Sequence, residues 1–180
     1  MGGDTERQGH CPRAGLCRSR SSGGSVTLRH DRPDSLHYRL CAGAMLFSDS
    51  GQVWVGQRID TPDAWQMPQG GIDPGEDPAA AALRELQEET GSDNVALLAE
   101  AEGWFTYDLP PALAAMAWGG KYRGQMQKWF AFRFLGHDQE IDIHGVEKPE
   151  FEAWQWVDIA DVAGLIVDFK RPVYEAVVAE

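Results

Sequence analysis

Residues 77–91 leave the chain little conformational choice. Asp77 is a side-chain N-cap, Pro78 suits the first helical position, residues 79–90 favour helix, and Gly91 supplies the left-handed stop. On this helix Glu85, Glu88 and Glu89 stand at i, i+3 and i+4, which predicts three carboxylates on one face. Like charges at that spacing cost about a few tenths of a kcal/mol per pair. The usual relief, interspersed lysine, is missing, and Arg84 is the only base in the segment. Hard oxygen donors concentrated in this way suit Mg²⁺ or Mn²⁺. The preceding stretch, Gly70-Gly71-Ile72-Asp73-Pro74-Gly75-Glu76, lets backbone approach a ligand closely. Glu76 lies across the loop–helix junction from Arg84, where it can pair with the guanidinium and fix the loop. An isolated E-x-x-E-E is ordinarily a solvated acidic surface; the loop and the Glu76–Arg84 juxtaposition make a metal site the better reading.

The 180 residues are enough for one domain with a sizeable core. Residues 1–36 hold six Arg against four acids, a charge of +2, so the rest of the chain carries −14 of the −12 total. A body this acidic argues against broad electrostatic binding to nucleic acid. It still admits a phosphate substrate where metal supplies the positive charge. No apolar run reaches the roughly 20 residues of a membrane span, and the arginines at the start precede no apolar segment of the secretory type. Cys11, Cys17 and Cys41, an odd number without framework spacing, point to a reducing compartment, hence the cytoplasm. His10, Cys11 and Cys17 fit no common zinc spacing.

Residues 1–36, rich in Gly, Ser and Arg, read as a flexible extension, and 37–180 as the folded domain. Residues 38–47 and 52–58 read as a hairpin about Ser48-Asp49-Ser50-Gly51, with Val53 and Val55 on one face. A short strand at 65–67 leads into a loop over 68–75. Strands are expected at 95–101, 104–107, 128–134 and 153–157, a short helix at 110–117 and a terminal helix at 172–178. Phe130, Phe132 and Phe134 share one strand face and belong to the core, with Trp154 and Trp156. Mixed helices and strands without a βαβ rhythm indicate an α+β fold with a mixed sheet.

The segment resembles the Nudix box, in which Gly, five residues, Glu, seven residues and Arg-Glu-apolar-x-Glu-Glu-x-Gly-apolar follow in order. Gly70, Glu76, Arg84, Glu85, Leu86, Glu88, Glu89 and Gly91 match; Ser92 stands where an apolar residue is usual. Beyond the box the chain resembles the RNA pyrophosphohydrolases and the related diadenosine polyphosphate hydrolases. The likeness is carried by Trp65-Gln66-Met67-Pro68-Gln69-Gly70-Gly71, Tyr107-Asp108-Leu109-Pro110, Gly124 through Phe130, Pro149-Glu150-Phe151 and Phe169-Lys170-Arg171. Leu40 and Met126 depart from it, where proline and, in some members, lysine are found.

This resemblance implies a Nudix fold, a mixed β-sheet sandwiched between helices, and hydrolysis of a phosphoanhydride bond. Glu85, Glu88, Glu89 and Glu150 are then the catalytic and metal-binding carboxylates, with the Gly70 carbonyl as a further Mg²⁺ or Mn²⁺ ligand. Glu76 and Arg84 give structural support. Arg39, Arg58, Lys128 and Lys170 are the candidates for binding the phosphate chain, with Lys121 and Arg123 near Lys128; Gln125 is a further substrate-binding candidate, and Tyr107 or Phe169 is a candidate for stacking a base. The proton of the attacking water falls to Glu88, Glu89 or Glu150. The substrate is the triphosphate end of an RNA, cut to a monophosphate with release of pyrophosphate, or alternatively a dinucleoside polyphosphate. A non-catalytic, nucleotide-sensing Nudix domain is the reading of another class; lost box carboxylates would mark it. The sequence names no protein partner and implies no membrane.

Overall fold

The computed structural model describes residues 38–180. The expected extension, with His10, Cys11 and Cys17, lies outside the described residues. Among those described, no helix is long and apolar enough to cross a membrane.

Eight strands form one mixed sheet: β1 (Tyr38–Phe47), β2 (Val53–Arg58), β3 (Trp65–Gln66), β4 (Gln69–Gly71), β5 (Val95–Glu100), β6 (Phe105–Asp108), β7 (Gly124–Phe134) and β8 (Phe151–Val157). The main path runs β3-β2-β1-β7-β5, with β4 on β1, β6 on β7 and β8 on β2. At its centre β1 and β7 are parallel, in register from Tyr38 opposite Gly124 to Phe47 opposite Arg133. The other pairings are antiparallel. Helices α1 (Pro78–Thr90), α2 (Pro111–Ala114), α3 (Val162–Leu165) and α4 (Arg171–Val178) complete the fold.

The period-2 alternation of the strands divides the core in two. Ala42, Ala44, Leu46, Phe130, Phe132 and Phe134 face Ala81, Ala82 and Leu86 of α1, with Trp154 and Trp156 packed against them. Met45, Val53, Val55, Phe105 and Trp129 face Val162 of α3 and Val173, Tyr174 and Val177 of α4. The sheet is therefore covered by helix on both sides, as the family resemblance implies.

The capping of α1 follows the sequence. Asp77 accepts from the Ala79 and Ala80 N–H groups, and Gly91 closes the helix at φ 80° with its N–H on the Gln87 carbonyl. Ser92, in its usually apolar position, is buried; its N–H donates to Thr90 Oγ1 at 3.3 Å, and its own Oγ accepts from Asn94 N–H at 3.3 Å.

Of the readings that differ from the sequence, two bear on the site. Residues 69–71, expected within a loop, form β4 against β1, because two glycines carry no alternation to read. β7 begins at Gly124 rather than 128; its first residues are polar yet buried, so hydrophobic patterning misses them.

The tightest packing lies at Gly43 on β1. A Cβ there would sit 2.6 Å from the Trp129 ring, which is 1% exposed. Gly43→Ala is expected to cost about 2–3 kcal/mol by overpacking, read as a lowered melting temperature.

Candidate active site

β4 is a divider. Its Gly70 faces α1 and its Gly71 faces the α4 side, so two half-sites meet at this short strand. A Cβ on Gly70 would overlap the Glu85 carboxylate, and one on Gly71 would overlap the Arg39 guanidinium.

On the α1 side, Arg84 organises the box. Its Nε and Nη2 donate to Glu76 at 2.8 and 3.0 Å, Nη2 also to the Gly71 carbonyl at 2.8 Å, and Nη1 to Glu85 at 2.8 Å. Glu76 in turn accepts the Asp73 N–H at 2.8 Å, which ties the loop to the helix. These bonds hold the Glu76 carboxyl below its ordinary pKa, with the Arg84 guanidinium as the main cause.

The three box carboxylates differ sharply in surroundings. Glu88 is exposed and 3.4 Å from Arg84. Glu85 is half-buried against Gly70, and desolvation raises its carboxyl. Glu89 is 5% exposed and accepts the Gln69 N–H at 3.0 Å. Burial first, then the charges of Glu150 and Glu85, push its carboxyl well above the ordinary range. Glu150 reaches this cluster from the start of β8, where it meets Arg58 Nη1 at 3.3 Å, and its charge bears on both Glu85 and Glu89. Arg58 is itself gripped by Asp60, at 2.6 and 2.7 Å.

Among the described residues no three His, Cys, Asp or Glu side chains are already drawn together as a metal-holding group. The donor set nevertheless fits a divalent cation. Glu85, Glu88, Glu89 and Glu150 are hard oxygen donors answered by two guanidiniums, and Glu89 is a buried carboxylate with one backbone N–H for a partner. Gly70 leaves the space in which Glu85 lies.

On the α4 side, β1 and β7 present Arg39, Cys41, Gln125 and Gln127 beside Tyr107 of β6. Lys170, at the N-terminus of α4, lies 5.7 Å from the Tyr107 ring and donates to Gln66 Oε1 at 3.3 Å. Burial lowers its ammonium to about 8. Phe169 packs on Tyr107 with centroids 5.6 Å apart. The Tyr107 hydroxyl donates to Gln125 at 2.7 Å, so of the two rings Tyr107 is the buried one and Phe169 the more accessible. Burial also raises the Cys41 thiol to about 12, which makes it inert packing.

Arg39, Tyr107, Gln125, Phe169 and Lys170 are thus brought together. Lys128 is not. It alternates with Gln127 and Trp129 onto the α1 side of β7, where its ammonium meets Glu100 at 2.8 Å and the Ala101 carbonyl. Arg123 is held by Asp108 and lies over the Tyr38 ring at 5.2 Å, so the expected cluster with Lys121 and Lys128 does not form. Sequence reasoning missed Gln66, Gln69, Gln127 and Trp118. The Trp118 ring carries the Arg39 guanidinium at 5.3 Å from a residue with φ 50°. Two pairs of closely spaced glutamines, Gln66 with Gln69 and Gln125 with Gln127, set among apolar neighbours, were the available signal.

A Gly-rich loop and an Arg-clamped glutamate helix thus lie on one side of one short strand, and a basic, aromatic set of side chains lies on the other. The chain belongs to the Nudix family, whose NUDIX domain matches residues 37–177. It is 57% identical over 145 residues to an RNA pyrophosphohydrolase of Rhodospirillum rubrum, covering 81% of this chain and 87% of that one. It is 56% identical over 158 residues to the RNA pyrophosphohydrolase of Brucella ovis, covering 82% and 89%. Among solved structures, Escherichia coli dihydroneopterin triphosphate pyrophosphohydrolase shares the fold at TM-score 0.60 and 22% identity, over 79% of this chain and 98% of that one. A Caenorhabditis elegans Ap4A hydrolase does so at 0.57 and 19%, over 78% and 96%. Family and relatives together define a hydrolase of phosphoanhydride bonds. Nudix hydrolases generally depend on a divalent metal.

Proposed function

We propose that this chain is an RNA pyrophosphohydrolase that converts the triphosphate end of an RNA to a monophosphate and releases pyrophosphate. The observation that carries the reading is the 57% identity to a protein of that name across 87% of its length. The polar and basic side chains across β4 from the carboxylate helix support it. Glu85, Glu88, Glu89 and Glu150 would hold Mg²⁺ or Mn²⁺, with the Gly70 carbonyl beside them. When bound, the cation neutralises phosphate charge and acidifies water.

The remaining work falls to the chain's own groups. Arg39 and Lys170 grip the phosphate chain with charge-assisted hydrogen bonds. Arg58, clamped by Asp60, orients Glu150 more than it binds phosphate. Glu76 and Arg84 keep Glu85 in place. Phe169 stacks a nucleobase over buried Tyr107. The proton of the attacking water passes to Glu88, Glu89 or Glu150. We place the protein in the cytoplasm, in keeping with its cysteine usage, and take 1–36 as an extension outside the catalytic domain 37–180.

Incubation with triphosphorylated RNA and, separately, with diadenosine tetraphosphate in the presence of Mg²⁺ or Mn²⁺ tests the reading. Monophosphorylated RNA and pyrophosphate are expected. Preferred cleavage of the dinucleotide would transfer the assignment to a dinucleoside polyphosphate hydrolase, and turnover of neither would favour a nucleotide-sensing domain.

Lys170 gives a pH dependence of known sign. Only its ammonium form holds phosphate, and its free-enzyme pKa is about 8. The kcat/KM for triphosphorylated RNA is therefore expected to fall as pH rises through about 8. Lys170→Met should lower kcat/KM below that pH and flatten this limb. A limb of unchanged shape in the variant would remove Lys170 from the phosphate grip.

A further inference from the structure

An indole N–H donates and never accepts. Trp129, sealed beneath Gly43, donates its Nε1–H to Gln127 Oε1 at 3.1 Å. That contact decides the orientation of the fully buried Gln127 amide. Its NH₂ must point the other way, and it does: to Gln125 Oε1 at 3.0 Å and Gln69 Oε1 at 3.2 Å. The Tyr107 hydroxyl donates to the same Gln125 oxygen at 2.7 Å.

Gln69 and Gln125 have each committed their carbonyl oxygen to this relay, so each has an NH₂ to spare. The residues are 8% and 5% exposed. Among the described residues neither amide nitrogen has an acceptor, and neither is sealed away; the one sealed, unpartnered side-chain polar atom among them is Trp54 Nε1. Gln125 lies opposite Arg39 in the β1–β7 ladder, and Lys170 stands over the Tyr107 ring. This face of β1, β4 and β7 thus brings together donors: two amide NH₂ groups, a guanidinium and an ammonium. Its complement is a group that offers acceptors alone, which describes phosphate oxygens.

We propose that Gln69 and Gln125 donate to phosphate oxygens of the substrate, and that Trp129 and Gln127 are positioning residues which lock both amides in the donating orientation. The proposal rests on the reading of Arg39 and Lys170 as the phosphate grip. Without the relay an amide can turn by half a rotation and present an oxygen, which repels the ligand. Gln69 depends on Gln127 alone, and so does the direction of Gln125, because the Tyr107 hydroxyl can donate to its oxygen or accept from its NH₂.

The test follows the side-chain amide NMR signals of the full chain during titration with inorganic pyrophosphate in metal-free buffer. In the wild type both the Gln69 and the Gln125 signals are expected to move. In Gln127→Met, which keeps the length and removes the donor, the response of both signals should fall well below that of the wild type. The dissociation constant for pyrophosphate should rise about tenfold, the loss of roughly one good hydrogen bond. In turnover the same variant should raise KM with kcat held within about twofold, because an interaction kept from ground state to transition state is lost.

Amide signals that stay still while those of Arg39 and Lys170 move, or Gln127→Met binding pyrophosphate as tightly as wild type, would overturn the proposal. So would a wild type in which nothing moves. Should Gln127→Met fail to fold, the wild-type titration decides alone. A protein that cuts no RNA but whose amides follow pyrophosphate would sink the substrate reading and leave this one standing; RNA turnover with unmoved amides is the reverse case.

Discussion

Glu89→Gln is expected to lower turnover by about 10²-fold or more and at the same time to raise the melting temperature of the metal-free protein. The two effects have one cause. Glu89 is buried, with one backbone N–H as its partner and the charges of Glu150 and Glu85 nearby. Its folded-state pKa lies well above the ordinary 4.5, so the native state binds more protons than the unfolded chain between those two values. Stability from this group is present below about 4.5 and is lost as pH rises through the folded value. Above about 4.5 burying this carboxyl therefore costs stability, because the site disfavours the charge that the unfolded chain carries. Glutamine removes the charge and keeps an oxygen for the Gln69 N–H. The gain should be about 1–2 kcal/mol, or roughly 3–6 °C, and should fade towards acid pH. Added Mg²⁺ should stabilise the wild type and leave the variant little changed. Calorimetry with and without metal, alongside turnover, checks all three. Wild-type turnover, or a melting temperature that fails to rise in metal-free buffer at neutral pH, would contradict the role given to Glu89.

Gly70→Ala is expected to cost about 10²-fold in kcat while the fold survives. The new methyl would occupy the position of the Glu85 carboxylate. Glu85 cannot simply swing aside, because it is half-buried and bonded to Arg84, which also holds Glu76 and the Gly71 carbonyl. Displacing it disturbs the clamp that sets loop against helix. Gly71→Ala is the internal comparison. Its methyl meets the tip of the flexible Arg39 side chain, so the effect should fall mainly on KM. Steady-state kinetics of the two neighbours, with circular dichroism as the check on folding, would show a kcat defect in one and a KM defect in the other. Equal defects in both would mean that β4 does not separate two half-sites.

The helix and its chemistry were legible because they are local. Asp77, Pro78 and Gly91 mark the ends of α1, and a 3.6-residue period puts Glu85, Glu88 and Glu89 on one side whatever packs around them. The Glu76–Arg84 pair follows from eight residues of loop and helix. Lys128 shows where local reading ends. Alternation along β7 separates it from Gln127 and Trp129, but nothing in the strand says which face meets Arg39 and Lys170. Its basic neighbours Lys121 and Arg123 made a cluster plausible in sequence, and Glu100 and Asp108 claim Lys128 and Arg123 in space.

By itself the sequence determined the capped carboxylate helix, the mixed α+β character, the aromatic core positions and the family that these residues resemble, since each depends on neighbours within a few turns or on a contiguous motif. Tertiary structure alone decided that Glu89 is buried and Glu88 exposed, that Gly70 and Gly71 serve opposite faces, and that an indole on β7 orients amides on β4 and β7. Those outcomes depend on how β1 pairs in parallel with β7 and antiparallel with β4. Strand register is settled by contacts between segments distant in the chain, where a shift of one residue exchanges the two faces.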